Sequence, residues 1–160
     1  MVTDNTVASY FHKMVLIFSS LLIYTTFVKP PSVNPLSLKV QLNHKLYPYF
    51  KDTIGAINGS HIPIAPPVYD ASAYRNHKGF LLQNGIFVCD FDLHFTYVLT
   101  GWEGSALDSH ILGNACSCNL EIPEGRYFLG DLEFPFKASL LVPYRGVCYH
   151  LAEWGQVNIW

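Results

Sequence analysis

Three features of this 160-residue chain predict an α/β fold with a mixed sheet. Its apolar segments after residue 53 run in the order strand, strand, strand, helix, strand, strand, the pattern of a sheet packed against helices. Half of the residues are hydrophobic and only 14% are charged. An average soluble domain carries about 25% charged residues, so a disordered or solvating chain is excluded. The length suits one domain that buries roughly 70% of its unfolded surface.

The first element is the stretch Met14 to Val28, MVLIFSSLLIYTTFV, which is uncharged and follows His12-Lys13. It predicts a buried helix from about Asn5 to about Phe27, with Asp4 and Thr6 as candidate caps. A secretion signal is disfavoured, because the positive end is weak and no small-x-small cleavage site follows. A membrane span is disfavoured too, since fifteen residues at 1.5 Å each fall short of a ~30 Å hydrocarbon core. Lys29-Pro30-Pro31 ends the helix, and the four prolines between Pro30 and Pro48 mark a linker.

Ala56 to Ile64, AINGSHIPI, reads as a short buried strand closed by Pro63, or as a hairpin turning at Asn58-Gly59. Leu82 to Asp90 and Phe95 to Gly101 read as an antiparallel pair joined by Phe91-Asp92-Leu93-His94. Ser105 is placed to cap a helix through ALDSHILGNA, with Gly113-Asn114 as its stop. Glu121 to Gly125 is a turn, Tyr127 to Leu129 a strand, and Leu140 to Tyr144 a further strand.

Charge is uneven. Five lysines against Asp4 and Asp52 leave residues 1–52 at +3, while five basic and ten acidic residues leave the remainder at −5. A wholly basic nucleic-acid binder is disfavoured, and the acidic body is either plain surface or a carboxylate cluster for divalent cations. Four cysteines are too few for a disulfide scaffold, which favours reduced thiols. Cys116 and Cys118 with His110 do not complete a four-ligand zinc set.

GAINGSHIPI, YRNHKG, FVCDFDLHFTYVLTGWEGSALDS, YFLGD and VPYRGVCYHLAEW follow one another along the chain. In order and spacing they resemble the nuclease domain of the Harbinger-type DDE transposases and their domesticated plant and animal relatives. Upstream, DNTVASYFHKM and FVKPP resemble the helical entry to that domain. The resemblance implies an incomplete ribonuclease-H-like fold with a mixed sheet, preceded by an N-terminal helical segment. It divides the chain into a helix and Pro-rich linker at 1–52 and a truncated endonuclease domain at 53–160.

The chemistry of such a family explains its need for acids. Two divalent ions clamp the attacking and leaving oxygens of a phosphodiester, and carboxylates hold both ions. The resemblance therefore implies Mg2+ or Mn2+ as cofactor, which this chain is expected to bind weakly if at all. The first acid of the motif falls on Asn58, because the family reads GAIDGTHI where this chain reads GAINGSHI. An amide oxygen accepts one metal contact but brings no charge and cannot bridge two cations. The second acid falls on Asp131, and an additional metal-facing acid falls on Asp108. The third acid of the family lies in a helix some 35 residues beyond the second, past Trp160. Glu133 and Glu153 are not in position to replace it. The resemblance thus implies a nuclease site acting on DNA but inactive in this chain. A non-enzymatic binding module and a fragment of a longer active nuclease are the alternatives.

Arg75 and Lys78, within the basic and aromatic run Tyr74 to Lys78, are the candidate DNA-backbone contacts. The resemblance also implies a nuclear location and a Myb-like DNA-binding partner, with the cytoplasm expected where no partner is present. His61 reads as a semi-buried histidine. Ser105, Asp108 and His110 hold the residue types of a hydrolase triad, yet three residues in about one helical turn do not align, and no GxSxG elbow is present.

Overall fold

The computed structural model describes residues 4–29 and 37–147. The sequence readings on 30–36 and on 148–160, Glu153 included, lie outside the described residues. After an N-terminal helical segment comes one five-stranded sheet: β1 (Thr53–Pro63), β2 (Leu82–Cys89), β3 (Phe95–Glu103), β4 (Tyr127–Leu129) and β5 (Leu140–Leu141). The strand order is β3-β2-β1-β4-β5. The pairs β1–β2 and β2–β3 are antiparallel, while β1–β4 and β4–β5 are parallel. This is the mixed sheet expected of a partial ribonuclease-H-like fold.

β1 is one continuous strand. Asn58 and Gly59 pair with Phe87 and Ile86 of β2, so the hairpin-turn alternative does not hold. Its N-terminal half is buried and its C-terminal half exposed, and the strand begins three residues before the apolar run that suggested it. The β2–β3 connection is the expected tight turn. Asp90 Oδ1 accepts from the backbone N–H groups of Asp92 (2.8 Å) and His94 (2.9 Å), and Leu93 adopts φ 64°. A short polar side chain that bonds its own loop holds such a turn closed.

One face of the sheet carries the core. Ile57, Ile86, Val88, Tyr97, Phe128 and Leu140 form a buried cluster with Ile111, Leu112 and Ala115 of α4 (Asp108–Cys118), closed by Leu120 and Phe134. The strand register places these sheet residues on one side by simple alternation.

Three expectations are corrected. The N-terminal helix is neither continuous nor buried: α1 (Asp4–Phe18) and α2 (Leu21–Phe27) are bent by 51°, and neither buries a residue. The break lies at Ser19-Ser20, where Ser19 Oγ donates to Leu16 O (3.3 Å) and Ser20 takes an extended conformation. α2 reaches the sheet at its β3 edge, where Tyr24 Oη donates to Val98 O (3.4 Å) and Lys29 N to Phe95 O (3.1 Å). Among the described residues no single helix is long and apolar enough to cross a membrane, although the bent pair reaches that length and composition together.

Second, the linker reading ends early. A short helix, α3 (Leu38–Gln41), follows Ser37, whose Oγ accepts from Lys39 N (3.2 Å), and Val40 within it is buried. Lys39 Nζ ties α3 to the β2–β3 turn by donating to Phe91 O (2.8 Å) and pairing with Asp92 (2.9 Å). That hydrogen bond and charge hold the Asp92 carboxyl below its ordinary value. The tie is therefore fully present above the ordinary carboxylate range and lost as pH falls through the lowered value. Both side chains are more than half exposed, so its contribution is small.

Third, α4 starts at Asp108 rather than after Ser105, and it runs through Gly113-Asn114 instead of stopping there. Leu107 is its N-cap residue without a side-chain cap bond. Burial of Ile111, Leu112 and Ala115 outweighs the cost of one helical glycine, about 1 kcal/mol. A Cβ at Gly113 would meet nothing within 4 Å. Gly113→Ala is therefore expected to stabilise the protein by about 0.5 to 1 kcal/mol. A rise in the urea midpoint at unchanged slope checks this, whereas a helix-stop glycine would give a fall.

Candidate active site

The site residues gather at one end of the sheet because β1 and β4 run parallel. Ala56 lies opposite Leu129 in the β1–β4 register. Two residues further along each chain come Asn58, still in β1, and Asp131, just past β4. Parallel neighbours advance together, so the first and second positions of the motif emerge side by side, and both residues are exposed. Asp131 Oδ1 accepts from Glu133 N (3.0 Å), a local turn that ends β4. Glu133 therefore follows the loop, as expected.

Asp108 is held differently. It is the first residue of α4 and only 6% exposed. Asn84 of β2, fully buried, donates from Nδ2 to Asp108 Oδ1 (2.7 Å) and to Ala106 O (2.9 Å), while its Oδ1 accepts from Gly85 N (2.8 Å). The Asp108 carboxylate lies over Gly59, where any Cβ would collide with it. Gly59 is the one residue type that lets the carboxylate approach the strand so closely. Because Gly59 presents the α4 face, alternation puts the Asn58 side chain on the other face. Asn58 follows Ala56 and Asp131 follows Leu129 by the same two residues, and the Asp108 carboxylate lies on the opposite face of β1 from the Asn58 side chain.

Arg75 and Lys78 lie in the loop that leaves β1 after Pro63, five residues past Asn58. Both are exposed. Arg75 Nη1 donates to Gly79 O (2.7 Å), and Asn76 Oδ1 accepts from Lys78 N (3.0 Å) and Phe80 N (2.9 Å), which shapes the loop tip. His61 is exposed rather than semi-buried, and its Nε2 lies 3.2 Å from Gly104 O. The ring of His110 packs on Trp102 at 5.6 Å between centroids.

Among the described residues no three His, Cys, Asp or Glu side chains come together as a metal-holding group. The donors at the β1–β4 end are one carboxylate and one neutral amide. Two divalent ions need bridging charge that this pair does not supply, so the described residues do not fit a two-ion centre.

Comparison with known proteins decides the family. A family model described as DDE superfamily endonuclease matches residues 57–157. The chain belongs to the DDE superfamily endonuclease family. Similar proteins are named "Putative nuclease HARBI1": that of Rattus norvegicus is 33% identical over 93 residues, and those of Mus musculus and Bos taurus are 31% and 30% identical. Each match covers 56% of this chain and 27% of the relative, so the matched stretch spans about a quarter of the relatives' length. No solved structure matches. Within this DDE endonuclease domain, the match takes in Asn58, Gly59, Asn84, Asp108 and Asp131.

Asn84 was not singled out from sequence, although a signal exists. It is a polar residue at an inward position of the apolar run LQNGIFVC, next to a glycine. Removing it would leave a buried carboxylate without its hydrogen bond. Asn84→Ala is expected to cost about 3 kcal/mol in chemical denaturation. The double variant Asn84→Ala with Asp108→Ala should lose clearly less than the sum of the two single losses, because the residues act as a pair.

Proposed function

We propose that this chain carries the nuclease fold of its family as a DNA-binding module that does not cut. The observation behind the reading is Asn58, a neutral amide on β1 where the family resemblance expects the first acid, two residues past the Ala56–Leu129 pairing of β1 with β4. The family's chemistry asks for charge at both positions. Asp131 alone would hold Mg2+ or Mn2+ weakly, since such ions bind through few carboxylates and each missing one is a large share of the protein's contribution.

DNA phosphodiesters are the substrate class suggested by the family, and the exposed loop with Arg75 and Lys78 supports backbone contact. A basic residue near phosphate adds affinity by counterion release without reading sequence. This reading places the protein in the nucleus, with a Myb-like partner supplying sequence recognition. Both follow from the family resemblance.

Incubation of the purified chain with supercoiled plasmid and Mg2+ or Mn2+ is expected to give no nicking beyond an EDTA control. Asn58→Asp should raise Mn2+ affinity measured by calorimetry. Nicking by the unmodified chain that disappears in Asp131→Ala would refute the reading. Replacing Arg75 and Lys78 together with alanine should weaken duplex binding and flatten its salt dependence by about 1 to 2 in log-log slope.

A further inference from the structure

Resting on the reading of this chain as a DNA-binding module, we propose that the turn at 75–81 is a stacking platform for an unpaired base, which makes single-stranded DNA its preferred form. Short-range bonds close the turn. Arg75 and Leu81 form an antiparallel bridge, Asn76 N donates to Phe80 O (2.9 Å), and Gly79 N donates to Asn76 O (2.9 Å). Asn76 Oδ1 accepts from the N–H groups of Lys78 and Phe80, and the Arg75 guanidinium closes on Gly79 O. Gly79 sits at φ 86°, a conformation that favours glycine. The tip therefore holds its shape without a ligand, and a preformed surface loses little freedom on binding.

That tip presents the ring of Phe80, 63% exposed and outside the sheet core. His77 and Lys78 shortly before it are exposed too. An apolar ring beside cationic side chains suits a nucleotide, because the ring meets a base face and the cation a phosphate. One ring flanked by charge is too small for a protein partner, which needs about 800 Å2 a side. Magnitudes then decide between duplex and single strand. Sequence-independent duplex binding comes almost wholly from phosphate contacts, about six to ten of them in a strong case. Arg75 and Lys78 supply two cations, while five basic and ten acidic residues leave 53–160 at −5. Charge alone gives weak binding, so affinity has to come from stacking, and the bases of a duplex already stack on one another. Stacking of one base on an aromatic side chain is worth roughly fivefold in affinity or more.

Fluorescence anisotropy of the full chain with a labelled thymine oligonucleotide of about 15 nucleotides, and with a duplex of the same length, tests this. The single strand should bind at least about fivefold tighter than the duplex. Its affinity should fall no more than about tenfold between about 50 and 200 mM salt, the dependence expected of two phosphate contacts. Phe80→Ala should lose the preference while duplex binding stays as it was, and Phe80→Trp should keep it. Phe136→Ala, at an exposed ring elsewhere, should change neither. Circular dichroism of each variant should match the unmodified chain, since neither ring belongs to the sheet core. A duplex bound as tightly as the single strand, or a preference that survives Phe80→Ala, would overturn the platform and leave the DNA-binding reading standing. Binding of neither DNA form would overturn both.

Discussion

The pairing of β1 on both of its edges is the constraint from which the rest of the structure follows. On one side it runs antiparallel to β2, and on the other parallel to β4. The antiparallel edge needs only the loop at 64–81, whereas the parallel edge needs a long crossover, which β2, β3 and α4 provide. That crossover brings the α4 face over the sheet and sets β4 beside the N-terminal half of β1. The core and the Asp108 contact with Gly59 are both consequences of where β1 sits.

The sheet was legible in sequence to the extent that alternation and turn residues announce strands. β2, β3 and their turn match closely, because Asp90 to His94 is a local device and apolar alternation reports a half-covered sheet. Boundaries set by tertiary packing were not legible. Gly113 looks like a stop because local propensity cannot register the burial of Ile111, Leu112 and Ala115 around it. The N-terminal helix looks buried because apolar composition states a demand for cover without saying where the cover lies. The motif positions Asn58, Asp108 and Asp131 were legible from resemblance, while their division between two faces was not. That division depends on a glycine, and a missing side chain leaves little mark in a pattern of side chains.

The candidate site separates the needs of folding from those of chemistry. Asn84 and Asp108 form a buried hydrogen-bonded pair, packed over Gly59, that fixes the start of α4 against the sheet. An unpaired buried carboxylate would be costly, so this unit has a structural reason to persist whether or not an ion is ever bound. Asn58 and Asp131 are exposed and carry no such obligation. Exchange of charge for amide at position 58 is therefore expected to have little effect on the core.

The neighbourhood of Asn58 and Gly59 has a further chemical meaning. In a free chain, an asparagine followed by glycine cyclises readily: the glycine nitrogen attacks the side-chain carbonyl, ammonia leaves, and water opens the ring to an aspartate or an isoaspartate. Glycine allows this because nothing on its Cα hinders the approach. Within β1 the backbone is extended and paired with Phe87 and Ile86, which holds the nitrogen away from that carbonyl. The strand therefore acts as a chemical preservative of position 58, and the uncharged state of this residue lasts only as long as the sheet around it stays closed.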